Sequence, residues 1–255
     1  MNWDKDMYFS NEDFINELDS FFAKEDMPGA EKCLLRWKGI AERGGNTGAV
    51  ITILNESVGF YRNTGDKEKA LSAVNEINKY IRIYKGLNEK KYAVILINCA
   101  TTLSSFGENE KALSYYNKAE EIFNKSKESD FQAVASFCNN KALCLQKLKK
   151  YDEAIKLFEK ALSIDKDNDG LILEYAVTCV NIACLYEEME YDFTEIEKML
   201  DAAMSVLKSK RNFSLAKYAF TCRKCAPAYG HFGFFLDELF LNRQADRYYE
   251  NNRLL

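Results

Sequence analysis

Three alanines, Ala70, Ala112 and Ala154, follow one another at a spacing of 42 residues, and the sequence around each can be laid on the others. Each is preceded, about five residues earlier, by a break in helical character: Gly65, Gly107 and the pair Lys149-Lys150. Upstream of each break lies an apolar-periodic stretch with helical spacing, 51–63, 93–105 and 135–147. Self-similarity at a fixed period means copies of one supersecondary unit stacked in a row. Such a row offers an extended surface rather than a single central cleft.

The third copy shows why each residue type recurs. Counting from Ala135, Ala142 and Leu145 fall on the inner face of the first helix. Ala154, Phe158 and Ala161 fall on the inner face of the second, which starts near Tyr151. Two antiparallel helices approach closely only where a small side chain sits at their crossing, which accounts for Ala142 and Ala154. Phe158 then fills the space beyond that contact. The second copy repeats the pattern with Ala100, Leu103, Gly107, Ala112, Tyr116 and Ala119. The first does so more loosely with Val58, Tyr61, Gly65, Ala70, Val74 and Ile77.

This arrangement resembles the tetratricopeptide repeat, whose small, aromatic and small residues recur at the same places. The usual period of that family is about 34 residues; eight more correspond to about one additional turn in each helix. Longer repeats of this kind are also seen in kinesin light chain and in bacterial response-regulator phosphatases that sense peptides.

A fourth copy starts at Ala176, with Asn181, Ala183 and Tyr186. One extra residue around 190–194 then shifts its second half to Ile196, Leu200 and Ala203. A degenerate copy at 10–45 carries Phe14, Leu18 and Phe21, then Pro28 opening a second helix with Leu34 and Trp37. Proline suits a helix's first turn, where its missing N–H would be unpaired anyway.

The last segment, 211–255, is crowded with Phe and Tyr. Pairs such as Phe213/Phe220 and Phe232/Phe235 have helical core spacing, so it reads as a capping helix pair. Pro227 and the run Gly230-His231-Phe232-Gly233 should end its first helix. The expectation is an all-α, right-handed superhelical tetratricopeptide-like solenoid of about six antiparallel helix pairs. It forms one domain over 1–255, with four repeats in 51–210. The aromatic end is also a candidate homodimer surface.

Bulk properties narrow the function. A formal charge of −4 and a pI near 5.4 argue against a nucleic-acid or anionic-membrane binder, which would carry a basic stripe. The first residues, Met1-Asn2-Trp3-Asp4-Lys5-Asp6, lack the basic and apolar regions of a secretory signal. No apolar stretch approaches membrane-spanning length in this reading, and the cytosol is the expected compartment. Eight cysteines at apolar, small-residue helix positions suit reduced thiols acting as small hydrophobes.

In members of the resembling family the first helix of each pair lines the concave side. The sixth position of that helix is here Asn16, Glu56, Asn98, Asn140 and Asn181, with Asn55 beside the exception. An asparagine amide offers a donor and an acceptor together, the complement of a peptide group. The resemblance implies that such a ladder grips an extended peptide backbone. Arg62, Gln146 and Lys147 are placed to contact acidic groups, Ile97, Leu143 and Val180 to form apolar pockets, and Glu187 and Glu188 to favour a basic residue. The clamp that some family members use for chaperone tails needs lysine and asparagine where the first copy has Asn55 and Gly59. It also needs basic residues where the third has Ser136 and Asn140, so that ligand is not expected.

Catalytic and metal chemistry find little support. The acidic run at 165–170 resembles the start of a calcium loop, but Ala176 stands where a bidentate carboxylate is required. Cys222 and Cys225 form a single CxxC, and His231 is the sole histidine, too few ligands for zinc. Glu128-Ser129-Asp130 is a helix-start signature rather than an acid–base pair. Gly44-Gly45-Asn46-Thr47-Gly48 lacks the ending of a phosphate loop and reads as an inter-repeat turn.

The sequence therefore points to a non-catalytic scaffold holding a peptide or protein segment, with no cofactor. One alternative is a peptide-sensing regulator, suggested by the long repeat; most such regulators carry an additional N-terminal effector domain, and here about ten residues precede the first helix pair. The other is a thiol enzyme using the Cys222/Cys225 region.

Overall fold

Wherever a capping side chain or a left-handed residue interrupts the chain, a helix ends and the next begins. In this computed structural model the described residues are 8–125, 131–166, 168–209 and 211–252, and all their regular structure is helical. The elements are α1 (Asn11–Ala23), α2 (Met27–Arg43), α3 (Thr47–Thr64), α4 (Lys67–Ile83), α5 (Glu89–Ser105) and α6 (Asn109–Lys125). They are followed by α7 (Phe131–Lys147), α8 (Tyr151–Lys166), a 3-10 turn at Asp169–Leu171, and α9 (Ile172–Glu188). The last are α10 (Phe193–Leu207), α11 (Leu215–His231) and α12 (Phe235–Asn252). The first residues, Met1 to Asp6, and the run Glu128-Ser129-Asp130 lie outside the described residues.

Within every odd–even pair the turn has the same chemistry. Glu25, Gly65, Gly107, Lys149, Glu190 and Gly233 each take a positive φ, between 54° and 87°. The N–H that follows each one donates to a carbonyl five residues back, as Asp66 does to Tyr61 and Lys150 to Leu145, at 2.8–3.0 Å. This is the hydrogen-bond pattern of the Schellman motif. It closes the first helix and aims the chain antiparallel. Helix starts are capped as regularly in the N-terminal half: side chains of Ser10, Asp26, Asn46, Asp66 and Asn88 each accept from the backbone N–H three residues on. Each bond satisfies one of the donors that a helix start leaves unpaired.

By packing, the chain divides into two compact units, Met1–Lys127 and Glu128–Leu255. In the first, Ala70, Ala100, Ala112 and Ala119 are fully buried at the helix crossings, with Val58, Ile77 and Tyr116 around them. In the second, Ala142, Ala154, Ala161, Ala176, Ala183 and Ala203 play the same part around Phe158, Leu145 and Leu200. The small residues singled out by the 42-residue register are therefore the ones that let the helices approach. The expected α3, α5 and α7 each begin four residues earlier than the apolar pattern suggested.

Three readings need correction. Pro227 lies inside α11 and does not end it; the helix runs on to His231. The pairs Phe213/Phe220 and Phe232/Phe235 are not both core: Phe220 and Phe235 are 61 % and 67 % exposed, together with Leu236 and Leu239. The rings that do pack inward are Tyr229, fully buried with its hydroxyl donating to the Leu200 carbonyl at 2.6 Å, and the stacked Phe213 and Tyr218. Finally, the segment Asp169–Glu188 is long and apolar enough to cross a membrane by length and composition, and half of its apolar window is buried among its neighbours. Leu173, Ala176, Cys179 and Ala183 from it sit in the core of the second unit.

Candidate functional site

Because each pair reverses direction, the odd-numbered helices of a unit lie side by side and share a face, and hollows open on it. In the first unit one recess of about 790 Å³ is lined by Glu56, Gly59 and Arg62 of α3, by Asn98 of α5, and by Phe22 and Met27. A second hollow of about 810 Å³ lies nearer the helix starts, among Ile15, Thr52, Asn55, Lys91 and Val94. In the second unit a groove of about 400 Å³ is lined only by odd helices: Asn139 and Asn140 of α7, Glu174 and Val177 of α9, Phe220 and Lys224 of α11.

The asparagines behave differently from one another. The Asn98 amide donates to the Asn55 side-chain oxygen at 3.1 Å and to the Asn55 carbonyl at 3.3 Å, and its own oxygen accepts from Arg62 Nη1 at 3.1 Å. Asn55 in turn donates to Glu56 at 3.2 Å. A parallel link joins Asn181 to the Asn139 oxygen at 3.4 Å, and Asn139 donates to Thr178 Oγ1 at 2.8 Å. Both amide–amide links span one repeat, 43 and 42 residues. Asn16 is exposed on α1, and Asn140 lines the groove of the second unit.

The charged candidates also sort themselves. Gln146 is buried and donates to Glu188 at 2.7 Å, while Lys147 is exposed at the end of α7. Glu187 pairs with His231 Nε2 at 2.8 Å, so both acids expected to receive a basic ligand residue already have partners. Arg62 is half-buried, and desolvation draws its pKa below the ordinary guanidinium value. Sequence reading passed over Asn139, Glu174 and Lys224. The doublet Asn139-Asn140 carried a usable signal, since it repeats the Asn55-Glu56 position of the first copy.

Beside the groove sits Asp165, fully buried, its Oδ2 accepting from Thr178 Oγ1 at 2.9 Å. Burial pushes its pKa up to about 6, helped by the nearby charge of Glu174 and opposed by the Thr178 bond. The residue that headed the calcium-like run is thus a core acid. Asp169 of that run is exposed and pairs with Arg211 at 3.0 Å, and Asp167 lies outside the described residues. Among the described residues no cluster of His, Cys, Asp and Glu is arranged to hold a metal ion. Seven of the eight cysteines are buried. Desolvation raises the thiols of Cys222 and Cys225 to about 11 and about 12, which disfavours the thiolate that nucleophilic or redox chemistry needs.

Comparison with known proteins agrees with this architecture. Residues 135–168 match the tetratricopeptide repeat family model. No curated protein sequence matches the chain. Among solved structures, BtubC (BKLC) from P. vanneervenii is similar with a TM-score of 0.56 and 20 % identity, over 92 % of this chain and 90 % of that one. A Rap protein complexed with Competence and Sporulation Factor gives 0.62 at 14 % identity, over 96 % of this chain and 66 % of the other. MamA from Desulfovibrio magneticus RS-1 gives 0.57 at 13 %, over 81 % and 99 %. At such identities the likeness speaks for the fold alone. The fold is tetratricopeptide-like, in a long-repeat form set by helices of about 17 residues.

Proposed function

We propose that this chain is a non-catalytic interaction scaffold that holds an extended peptide or protein segment against the face formed by the odd-numbered helices within a unit. The observation carrying this reading is the placement of the hollows. Polar and apolar side chains from successive odd helices line each of them, as an extended ligand crossing those helices requires. A further support is that a Rap protein, similar in fold, is recorded in complex with Competence and Sporulation Factor. Asn140 and the polar groups beside it serve as backbone partners in the second unit. In the first unit the amides are linked to one another, and the recess they frame receives the ligand's side chains.

The reading is tested by panning a random dodecapeptide display library against the full chain, then filling each hollow in turn. Gly59→Trp occupies the recess of the first unit, where a Cβ at residue 59 meets its nearest neighbours only at 4.0 Å. Ser136→Trp narrows the groove of the second, at an exposed lining residue. The expected result is an enriched peptide family whose affinity falls at least tenfold in one of the two variants. Absence of enrichment, or equal affinity in both filled variants, overturns the reading.

A further inference from the structure

Several cations of this protein that remain partly exposed pair with carboxylates. Lys38 pairs with Glu76 at 2.6 Å and Lys69 with Glu31 at 2.8 Å. Arg36 pairs with Glu17, Lys208 with Asp237 at 2.7 Å, and Arg223 with Asp246 at 2.6 Å. Arg62 departs from this. It is half-buried, desolvation pulls its pKa down, and its Nη1 donates to the neutral amide oxygen of Asn98. No described carboxylate stands within ion-pair distance of it.

Desolvating a guanidinium without a counter-charge is costly, and an anionic ligand group reaching it would offset that cost. Arg62 lies in the recess of about 790 Å³. Residue 59 beside it is a glycine, and its missing side chain leaves the fork approachable: a Cβ there comes no closer than 4.0 Å to Arg62 Nη2 or Asn98 Nδ2. The guanidinium is also held in place. Asn98 accepts from it, Asn98 donates to Asn55, and Asn55 donates to Glu56, so a chain of bonds across two helices fixes the fork before any ligand arrives. Asn98 is on this account a positioning residue.

The recess also limits what can bind. Arg62 is the one cation among the described residues lining it, and Glu56 stands in the same lining. One guanidinium opposite one acid suits a singly charged carboxylate and disfavours a phosphate dianion. On the other side Phe22 stacks on Phe60 at 6.3 Å, Phe22 remains 38 % exposed, and Met27 lines the wall. That wall takes an apolar side chain next to the acid.

We infer that the recess of the first unit reads an acidic residue of the bound segment, its carboxylate received by the Arg62 guanidinium and an adjacent apolar residue seated against Phe22, Phe60 and Met27. This rests on the peptide-binding reading above and specifies the ligand class at one of its sites.

The test uses the full chain and a random decapeptide display library, with fluorescence anisotropy on the selected peptides. The wild type is expected to enrich Asp or Glu at one fixed position beside an apolar residue. Changing that acid to its amide should weaken wild-type binding at least tenfold, and Arg62→Gln should bind acid and amide peptides alike. Arg62→Glu should shift the selected position to Lys or Arg. Enriched peptides with no acidic preference, or affinity within twofold after Arg62→Gln, overturn the assignment while leaving peptide binding in place. Absence of any enriched peptide on the wild type overturns both. Should the Arg62 variants fail to fold, the acid-to-amide change in the peptide decides alone: a less than twofold loss overturns the assignment.

Discussion

At the scale of single residues, three of the six turns between paired helices place a side chain where glycine is the natural choice. Gly65, Gly107 and Gly233 take positive φ without strain, whereas Glu25, Lys149 and Glu190 take it at φ 54–59° with a Cβ to accommodate. For an L-residue this conformation costs about 1–2 kcal/mol, and glycine escapes it while giving up some backbone entropy when it orders. Lys149→Gly is therefore expected to stabilise the protein by about 1 kcal/mol in urea denaturation, and Gly107→Ala to destabilise it by a similar amount. The position of the Lys149 turn was readable from the 42-residue register. The turns at Glu25 and Glu190 did not follow from it: the register points to 23 and 191, two residues and one residue away from them.

Asp165 was unreadable by that route. Its sequence neighbours Lys166, Asp167, Asn168 and Asp169 are all polar, and nothing local says that one acid of the run turns into the core. Its pKa is raised to about 6 from 3.8, mainly by burial, so the folded state favours the neutral acid. The sign follows directly. The associated stability is fully present below about pH 4 and is lost as pH climbs toward 6, about 3 kcal/mol in total for roughly two pKa units. Asp165→Asn keeps an acceptor for Thr178 and cannot ionise. The stability difference between variant and parent, measured by denaturant titration from pH 4 to 8, should move in the variant's favour by that amount and level off above pH 7. A flat difference would show that Asp165 is not shifted.

At the scale of helices, packing rests on alanines at crossings. Ala154 is fully buried, and the same place in the preceding copies is held by Ala112 and Ala70. Enlarging it pushes α7 and α8 apart, so Ala154→Leu should lose about 1–3 kcal/mol. Phe158→Ala should lose about 3–5 kcal/mol by opening a cavity. Both are measurable as lowered urea midpoints, with circular dichroism to confirm retained helix. Helix existence was legible throughout because small residues at fixed spacing have few other uses. Helix starts were not. α3, α5 and α7 open four residues ahead of their apolar pattern, and for α3 and α5 the boundary is set by the capping side chains of Asn46 and Asn88. Pro227 misled for a related reason. It is exposed in the last turns of α11, where the carbonyl it leaves unpaired can bond to water, so the helix continues past it.

At the scale of the whole chain, the thiols give a global check. Seven of eight are buried and Cys184 is half-buried, with desolvation raising Cys33, Cys99, Cys179 and Cys184 as well as the CxxC pair. Native protein at pH 7.5 should react with a disulfide reagent at one thiol at most within minutes, and at all eight in denaturant. A rapid reaction at Cys222 or Cys225 would revive the thiol-enzyme alternative. The asparagine register picked out Asn55, Asn98 and Asn140, which line hollows. It could not reveal that Asn98 and Asn181 bond to Asn55 and Asn139, because periodicity fixes a side chain's direction and not which neighbour reaches it first.

Those bonds bear on how such a chain can change length. Asn98 to Asn55, Asn181 to Asn139, Gln146 to Glu188 and Arg211 to Asp169 each join places 42 or 43 residues apart. Excising or duplicating one whole copy keeps odd helices beside odd helices at the new junction. Cutting half a copy sets an even helix where an odd one belonged and turns the residues lining the hollows to the back. Growth and shrinkage of such a gene are thereby channelled into whole-copy steps, and a relative differing by about 20 residues would have had to rebuild that face from new side chains.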